Sequence, residues 1–364
     1  MPSVSVEFNW FLPTNGDGRH LTDNTSVAGV RGAAAHREPE PDYLVQVARA
    51  AETVGFHAAL VPTGAACEDG WLLAAALAQE TRRLKFLVAF RPGLELPAYA
   101  AQKVATLQAF TEGRLLLNVV TGGDQDQQEA YGDYLQHDER YARTAEFLQA
   151  ARRVWDGPGQ QYDGQYYRIE DGGLRRPLDH VPAVYFGGAS APAEQVAARH
   201  ADVYLLWGET PAMVRERIER VRRLADEQGR RLRYGIRLHV IARRTEDEAW
   251  AEADRLWREL TPQAIERGRA ALGASQSVGQ ARMLGLHAGK NARQVRDLEV
   301  APHLWAGVGL VRGGAGTALV GDYEQVAGRL REYRDLGIDT FILSGYPNLE
   351  EAWRVGENVL DRVH

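Results

Sequence analysis

One cysteine in 364 residues leaves the chain no intrachain disulfide and no cysteine-built metal site. Other absences narrow it further. No apolar run approaches the roughly 20 residues of a membrane-spanning helix. The opening "MPSVSVEFNW" has no basic stretch followed by an apolar one, so no secretory leader is expected. Lys and Arg total 43 against 49 Asp and Glu, and the formal net charge of −6 works against general nucleic-acid binding. No G-x-G-x-x-G follows the first apolar run, which disfavours a dinucleotide-binding half. No His and carboxylate spacing matches H-E-x-x-H or a facial triad, so no metal is expected. There is no internal repeat at solenoid period and no low-complexity linker. What remains is a soluble globular composition, 45% hydrophobic and 25% charged, expected in the cytoplasm.

Eight short apolar runs alternate with amphipathic helical segments. They are "VSVEFNWFL", "AALVP" at 58–62, "LKFLVAF" at 84–90, "RLLLNVVTG" at 114–122, "AVYFGG" at 183–188, "DVYLLWG" at 202–208, "RYGIRLHVIA" and "DTFILSG" at 339–345. The count of eight predicts a (β/α)8 TIM barrel over residues 1–364, with a doubly wound open sheet as the alternative. Helix-end signals agree. Thr210-Pro211 opens a helix with Val214, Ile218, Val221 and Leu224 on its buried stripe and Gly229 at its close. Thr245 and Glu248 form a capping-box pattern. Two stretches break the alternation: 19–41 after the first strand, and an insertion at 261–321 before the last βα unit. Both leave from strand C-terminal ends, where barrels build active sites, and both are expected to wall or cover the site.

Strand alternation turns Arg237 and His239 towards the barrel interior, where an unpaired charge is costly. Arg237 either closes a structural ion pair or waits for an anion. His239 is either a satisfied core histidine or part of a site. "RGGAGTALVGD" at 312–322 puts Arg312 on a glycine-rich loop, and two arginine forks suit sulfonate, phosphate or carboxylate. "GGAS" at 187–190 makes a tight strand-to-helix turn or lets backbone N–H groups approach a phosphate. Cys67 and Trp207 fit plain packing as well as a site. The strand ends also supply Asn15, Asn118, Thr121, Tyr346 and Asn348. Asp17, Glu68, Asp69 and Asp124 are too scattered for a glycosidase-like carboxylate pair.

With these residues in place, the sequence resembles the two-component, reduced-flavin-dependent alkanesulfonate monooxygenases of the bacterial luciferase-like superfamily. The likeness runs over nearly the whole chain. "FNWFLPTNGDG", "VPTGAACEDGW", "LNVVTGGD", "HDERY", "VYFGGAS", "YLLWGE", "YGIRLHVI", "HLWAGVGLVRGGAGTALVGD" and "SGYPNLEEA" carry it, in that order. It implies a barrel whose insertion at 261–321 is a mobile lid. It also implies reduced FMN delivered by an NAD(P)H-dependent flavin reductase, O2 as co-substrate, and C–S cleavage to sulfite and an aldehyde. By the same resemblance Arg237 and Arg312 grip the sulfonate, Trp207 and His239 shape its pocket, and Tyr346 and Cys67 lie beside the reacting oxygen. Tyr141, Ser190, Gly187 and Gly188 hold the FMN phosphate, with Asn118 and Thr121 at the isoalloxazine edge. A homodimer or homotetramer is implied as well. Asn15 and Asn348 stand where the closest alkanesulfonate enzymes have histidine. An amide pair suits a hydroxylated tail, so a sugar sulfonate such as sulfoquinovose is expected beside plain alkanesulfonates. The rival expectation is a deazaflavin-dependent oxidoreductase on the same barrel, and a third is a binding protein without turnover.

Overall fold

Runs such as Lys85–Phe90 and Val203–Trp207 are apolar on nearly every position, which suits strands covered on both faces. The computed structural model describes residues 6–23, 27–28, 36–290 and 292–363. In it the eight runs become β1 (Glu7–Phe11), β2 (Ala58–Val61), β3 (Lys85–Phe90), β4 (Leu115–Val119), β5 (Val184–Gly187), β6 (Val203–Trp207), β7 (Arg233–Arg243) and β8 (Thr340–Ser344). Each pairs in parallel with the next, and β8 returns to β1, so that Asn9 lies between Ala58 and Ile342. The sheet closes, and the (β/α)8 barrel replaces the open-sheet alternative.

Alternation along the strands divides the side chains. Phe8 and Trp10, with Ile236, Leu238 and Val240 of β7, join the apolar layer between strands and helices. Each such burial stabilises by about 1.5–3 kcal/mol. Leu60, Leu87, Leu116, Tyr185 and Ile342 fill the interior. At the barrel's N-terminal end Arg233 bridges Glu7 at 2.9 Å and Asp339 at 3.1 Å. The helix Pro211–Glu227 starts and stops where its signals placed it, with Gly229 at φ +65°, although Leu224 is half-buried rather than buried. Thr245 caps Glu246–Arg258 by accepting the Glu248 N–H, one half of the expected reciprocal pattern.

The stretch 261–321 is ordered as the helices Pro262–Gly273 and Val278–Gly285 and the short strands Glu299–Ala301 and Leu304–Trp305, followed by the strand Ala318–Asp322. Its anchor is β7, which outruns the barrel. Residues His239–Arg243 pair in parallel with Ala318–Asp322. Ile241, on the same face as Arg237 and His239, packs with Leu21, Val27, Trp250 and Tyr346. The connection 19–41 meets this structure from outside: Val27 bridges Arg312 and Arg37 bridges Asp17. None of its described residues lines the cavity below, which corrects the expectation of a wall there; 24–26 and 29–35 lie outside the described residues. The antiparallel pair Gln160–Asp163 and Arg168–Gly172 was not among the expected strands. Among the described residues no helix is long and apolar enough to cross a membrane.

Candidate active site

A cavity of about 550 Å³ opens at the C-terminal ends of the strands. The interior residues Leu60 and Ile342 and the insertion residues Leu272, Ser275 and Gln280 all contribute to its wall. A hollow of about 610 Å³ near Leu94, Tyr134 and Tyr166 holds Arg143, which is already paired with Asp133 at 2.5 Å. The first cavity alone collects the strand-end residues. Arg237, His239, Arg312, Trp207, Asn15, Asn118, Thr121, Tyr141, Gly187 and Gly188 all line it.

Arg237 has no structural ion pair among the described residues. Its Nη1 donates to the Leu238 carbonyl at 2.7 Å, its Nη2 donates to Ser344 Oγ at 2.8 Å, and the guanidinium lies 4.8 Å over the Phe11 ring. Burial pushes its pKa down to about 10, and the Arg312 charge adds to this while Tyr346 opposes it. It remains a cation at neutral pH, and its accessible surface belongs to the cavity wall. Register explains the next contact, because Ser344 of β8 lies beside His239 of β7. Ser344 Oγ and His239 Nδ1 are 2.7 Å apart, and His239 Nε2 is 3.0 Å from the Ala315 carbonyl. A carbonyl only accepts, so Nε2 carries the proton and Nδ1 accepts from Ser344. Donation therefore runs one way, from Arg237 through Ser344 and His239 to Ala315. Burial first, then the Arg237 and Arg312 charges, hold the His239 pKa well below its ordinary value, so the ring is neutral.

Ala315 belongs to the loop that carries Arg312. Arg312 Nη1 is buried and has no hydrogen-bond partner among the described residues. Its guanidinium lies 5.8 Å from the Tyr346 ring, which in turn stacks on His239 at 5.3 Å. Tyr346 thus backs the arginine and histidine and does not itself line the cavity. Burial raises its hydroxyl pKa, and the hydroxyl has no partner among the described residues. Cys67 also stands behind the wall. Burial raises its thiol pKa against the lowering pull of Thr14, Arg91 and Arg312, which disfavours the thiolate.

On the other side β5 ends in Gly187 and Gly188. At Gly188, φ is +146° and a Cβ would sit 2.6 Å from the Ala193 Cβ and 3.3 Å from Tyr141 Oη. Only glycine fits so close to a helix start. Ser190 caps the helix Ala191–His200 by accepting the Ala193 N–H; it does not line the cavity, yet it bonds Tyr141, which does. A glycine cradle, the Tyr141 hydroxyl and the N-terminus of a ten-residue helix make a donor set that fits a phosphate.

One expectation needs correction. Asn348 is not a cavity residue. Its backbone N–H and Nδ2 donate to Asp17 at 2.7 and 3.2 Å, a carboxylate that also accepts from Tyr43 at 2.5 Å and from the Gly18 N–H. The paired-amide argument for the tail pocket therefore loses one of its members, leaving Asn15. Ser344, Glu209 and Gln280 were not singled out in the sequence. Glu209 is buried and grips Arg282 of the insertion at 2.5 and 2.9 Å and Arg217 at 3.2 Å. No cluster of three or more potential metal ligands occurs among the described residues.

Together the closed barrel, the insertion over its C-terminal end and two arginines that face one cavity without a carboxylate partner among the described residues define a (β/α)8 barrel with a cationic pocket. The luciferase-like monooxygenase family matches residues 6–340, and the chain belongs to that family. Solved structures share the architecture. A riboflavin lyase crystallised with modified FMN and riboflavin aligns with a TM-score of 0.79 at 20% identity, over 98% of this chain and 91% of that one. An EDTA monooxygenase from Chelativorans sp. BNC1 gives 0.76 at 18%, over 99% and 93%. An F420-dependent secondary alcohol dehydrogenase gives 0.69 at 17%, over 99% of both chains. At these identities the likeness is one of fold.

Proposed function

We propose that this protein is a flavin-dependent monooxygenase that cleaves the C–S bond of an organosulfonate to sulfite and an aldehyde. The observation that carries this reading is the pair Arg237 and Arg312: two guanidinium groups on one cavity, neither with a carboxylate among the described residues. Arginine keeps its charge at any working pH and its fork matches a tetrahedral oxyanion. Arg237, fixed by Ser344 and Leu238, would anchor the head group. Arg312 would close on it from the loop, with neutral His239 holding that loop through Ala315 and Trp207 and Phe11 supplying apolar wall. Tyr346 would hold Arg312 in place from behind.

Reduced FMN, when bound, supplies the two electrons with which O2 is activated. Tyr141, Ser190 and the backbone at Gly187 and Gly188 would hold its phosphate, with Asn118 and Thr121 beside the ring system. The insertion would exclude water, on which this oxygen chemistry depends. In the balance one oxygen atom of O2 ends in the aldehyde and the other in water, while sulfur leaves as sulfite. An NAD(P)H-dependent flavin reductase would be the partner, and a homodimer or homotetramer the assembly. The tail is an alkyl chain or a polar group such as the sugar of sulfoquinovose, and Asn15 lines the cavity that would receive it.

The test is sulfite release in air, with FMN, NADPH and a generic flavin reductase, across methanesulfonate to octanesulfonate, taurine and sulfoquinovose. Sulfite from any of them supports the reading, and its distribution identifies the tail. Silence across the panel removes it in favour of a deazaflavin-dependent oxidoreductase.

A further inference from the structure

The insertion helix Val278–Gly285 carries one polar side chain that its own packing leaves half used. Gln280 is 4% exposed and forms part of the cavity wall. Its amide accepts the Gly314 N–H at 3.0 Å. A backbone N–H only donates, so the atom facing it is Oε1 and the amide orientation is not free to reverse. Nε2 is left on the remaining side, buried and without a partner among the described residues. Buried donors are nearly always satisfied in folded proteins, and one left open at a cavity implies an acceptor that arrives with a ligand.

Its neighbours identify which end of the cavity it serves. Gly314 is two residues from Arg312, whose Nη1 is a further orphaned donor in the cavity lining. One residue before Gln280, a Cβ at Gly279 would lie 3.0 Å from the Trp207 indole. Trp207 is in turn register partner to Arg237. Gln280 therefore belongs to the arginine end, away from the glycine cradle at Gly188. Three donor-bearing side chains from three separate elements, β7, the 312–317 loop and the insertion helix, thus line this one cavity.

We propose that Gln280 is a specificity-determining residue whose Nε2 takes the third oxygen of a sulfonate, so that the site selects three-oxygen head groups over carboxylates. The inference rests on the sulfonate reading above. Two arginine forks already saturate the two coplanar oxygens of a carboxylate, which leaves Nε2 unmet and buried. A tetrahedral head group presents one more oxygen, out of that plane. Because Gln280 stands on the insertion, the third contact also forms only when the cover is in place.

The experiment compares Kd values by calorimetry for head groups carried on matched tails. Octanesulfonate is set against nonanoate, and hexanesulfonate against heptanoate, each with and without reduced FMN under argon. The native protein is expected to prefer the sulfonate. In Gln280→Met the sulfonate weakens about ten-fold and the carboxylate less than about two-fold, so the preference collapses. A merely structural role, acting through Gly314 and Arg312, would weaken both head groups in proportion and leave their ratio unchanged; that result overturns the proposal. Gln280→Glu keeps the acceptor for Gly314 and replaces the donor with a charge. It should lose sulfonate binding while melting at the native temperature, and undiminished sulfonate binding in it overturns the proposal as well. If the native protein binds carboxylate but no sulfonate, the sulfonate reading falls and takes this one with it. If sulfonate binds and the ratio ignores position 280, this inference fails alone.

Discussion

A buried guanidinium with no carboxylate beside it costs the folded chain stability whether or not a ligand is present. Arg237 is in that position, bonded to a carbonyl and a hydroxyl and stacked on Phe11. Replacing a buried charge by an apolar side chain of similar length is often neutral or stabilising, and site residues commonly trade stability for function. Arg237→Met should therefore melt at or above the native temperature. It should lose sulfonate turnover by roughly 100- to 1,000-fold in kcat/KM, the usual scale for removing one partner of a buried charged contact. FMN binding, read by flavin fluorescence, should be unchanged, since the proposed phosphate donors lie on β5, the helix after it and the helix His137–Trp155. A variant that melts several degrees lower and still turns over would show that Arg237 is a structural cation.

Beyond the ladder to β7, the insertion helix Val278–Gly285 is tied to the barrel through Glu209. Its carboxylate takes Arg282 from the insertion helix on both oxygens, while Ser275 and Gln276 reach the Gly123 carbonyl at 3.2 and 3.1 Å. Charge-assisted bonds of this kind contribute about 1.5–3 kcal/mol. Arg282→Ala leaves Glu209 paired with Arg217, so no buried charge is stranded. It should raise protease cleavage within 262–290 about ten-fold and raise the sulfonate KM with little change in kcat. Unchanged cleavage would mean that the helix is held by its apolar contacts. The eight strands were legible because barrel strands are covered on both faces and read as apolar runs, and the alternation within "YGIRLHVI" placed Arg237 and His239 correctly. The order within the insertion was not, because Ala318–Asp322 finds its partner in β7, some 80 residues earlier, through register alone. Ser344 closes an apolar run and reads as the start of a turn, and its bond to His239 needs the β7–β8 register. Gln280 is one polar residue in a short helix, with no local signal of its role. Asn348 misled for the same reason: the carboxylate that engages it, Asp17, lies 331 positions away.

Acidification tests the molecule as a whole, because several histidines are buried in their neutral form. Burial, with the Arg237 and Arg312 charges, holds His239 well below its ordinary value. Burial, with Arg152, Arg230 and Arg199, brings His200 to about 4. His57 and His287 are lowered as well, chiefly by burial. The unfolded chain takes up these protons near pH 6.5, while the folded chain takes them up only further down. Between those limits the unfolded state holds more protons, so the stability these groups contribute is complete above about pH 6.5 and is lost as pH falls towards their folded values. Each contributes a slope of at most about 1.4 kcal/mol per pH unit. Urea unfolding between pH 7.5 and 5 should therefore show a steady decline. Asp17 and Glu351, raised by burial, act in the opposite sense, starting from the ordinary carboxylate range, and flatten the curve at its acid end. In His239→Asn the decline should be shallower by up to one proton. A bound sulfonate should flatten it too, because an anion against Arg237 offsets the charge that disfavours protonation of His239. If His239→Asn makes the decline steeper instead, the ring is protonated in the folded protein. The direction of the bond between Ser344 and Nδ1, and with it the chain of donors from Arg237 to the Arg312 loop, would then have to be reversed.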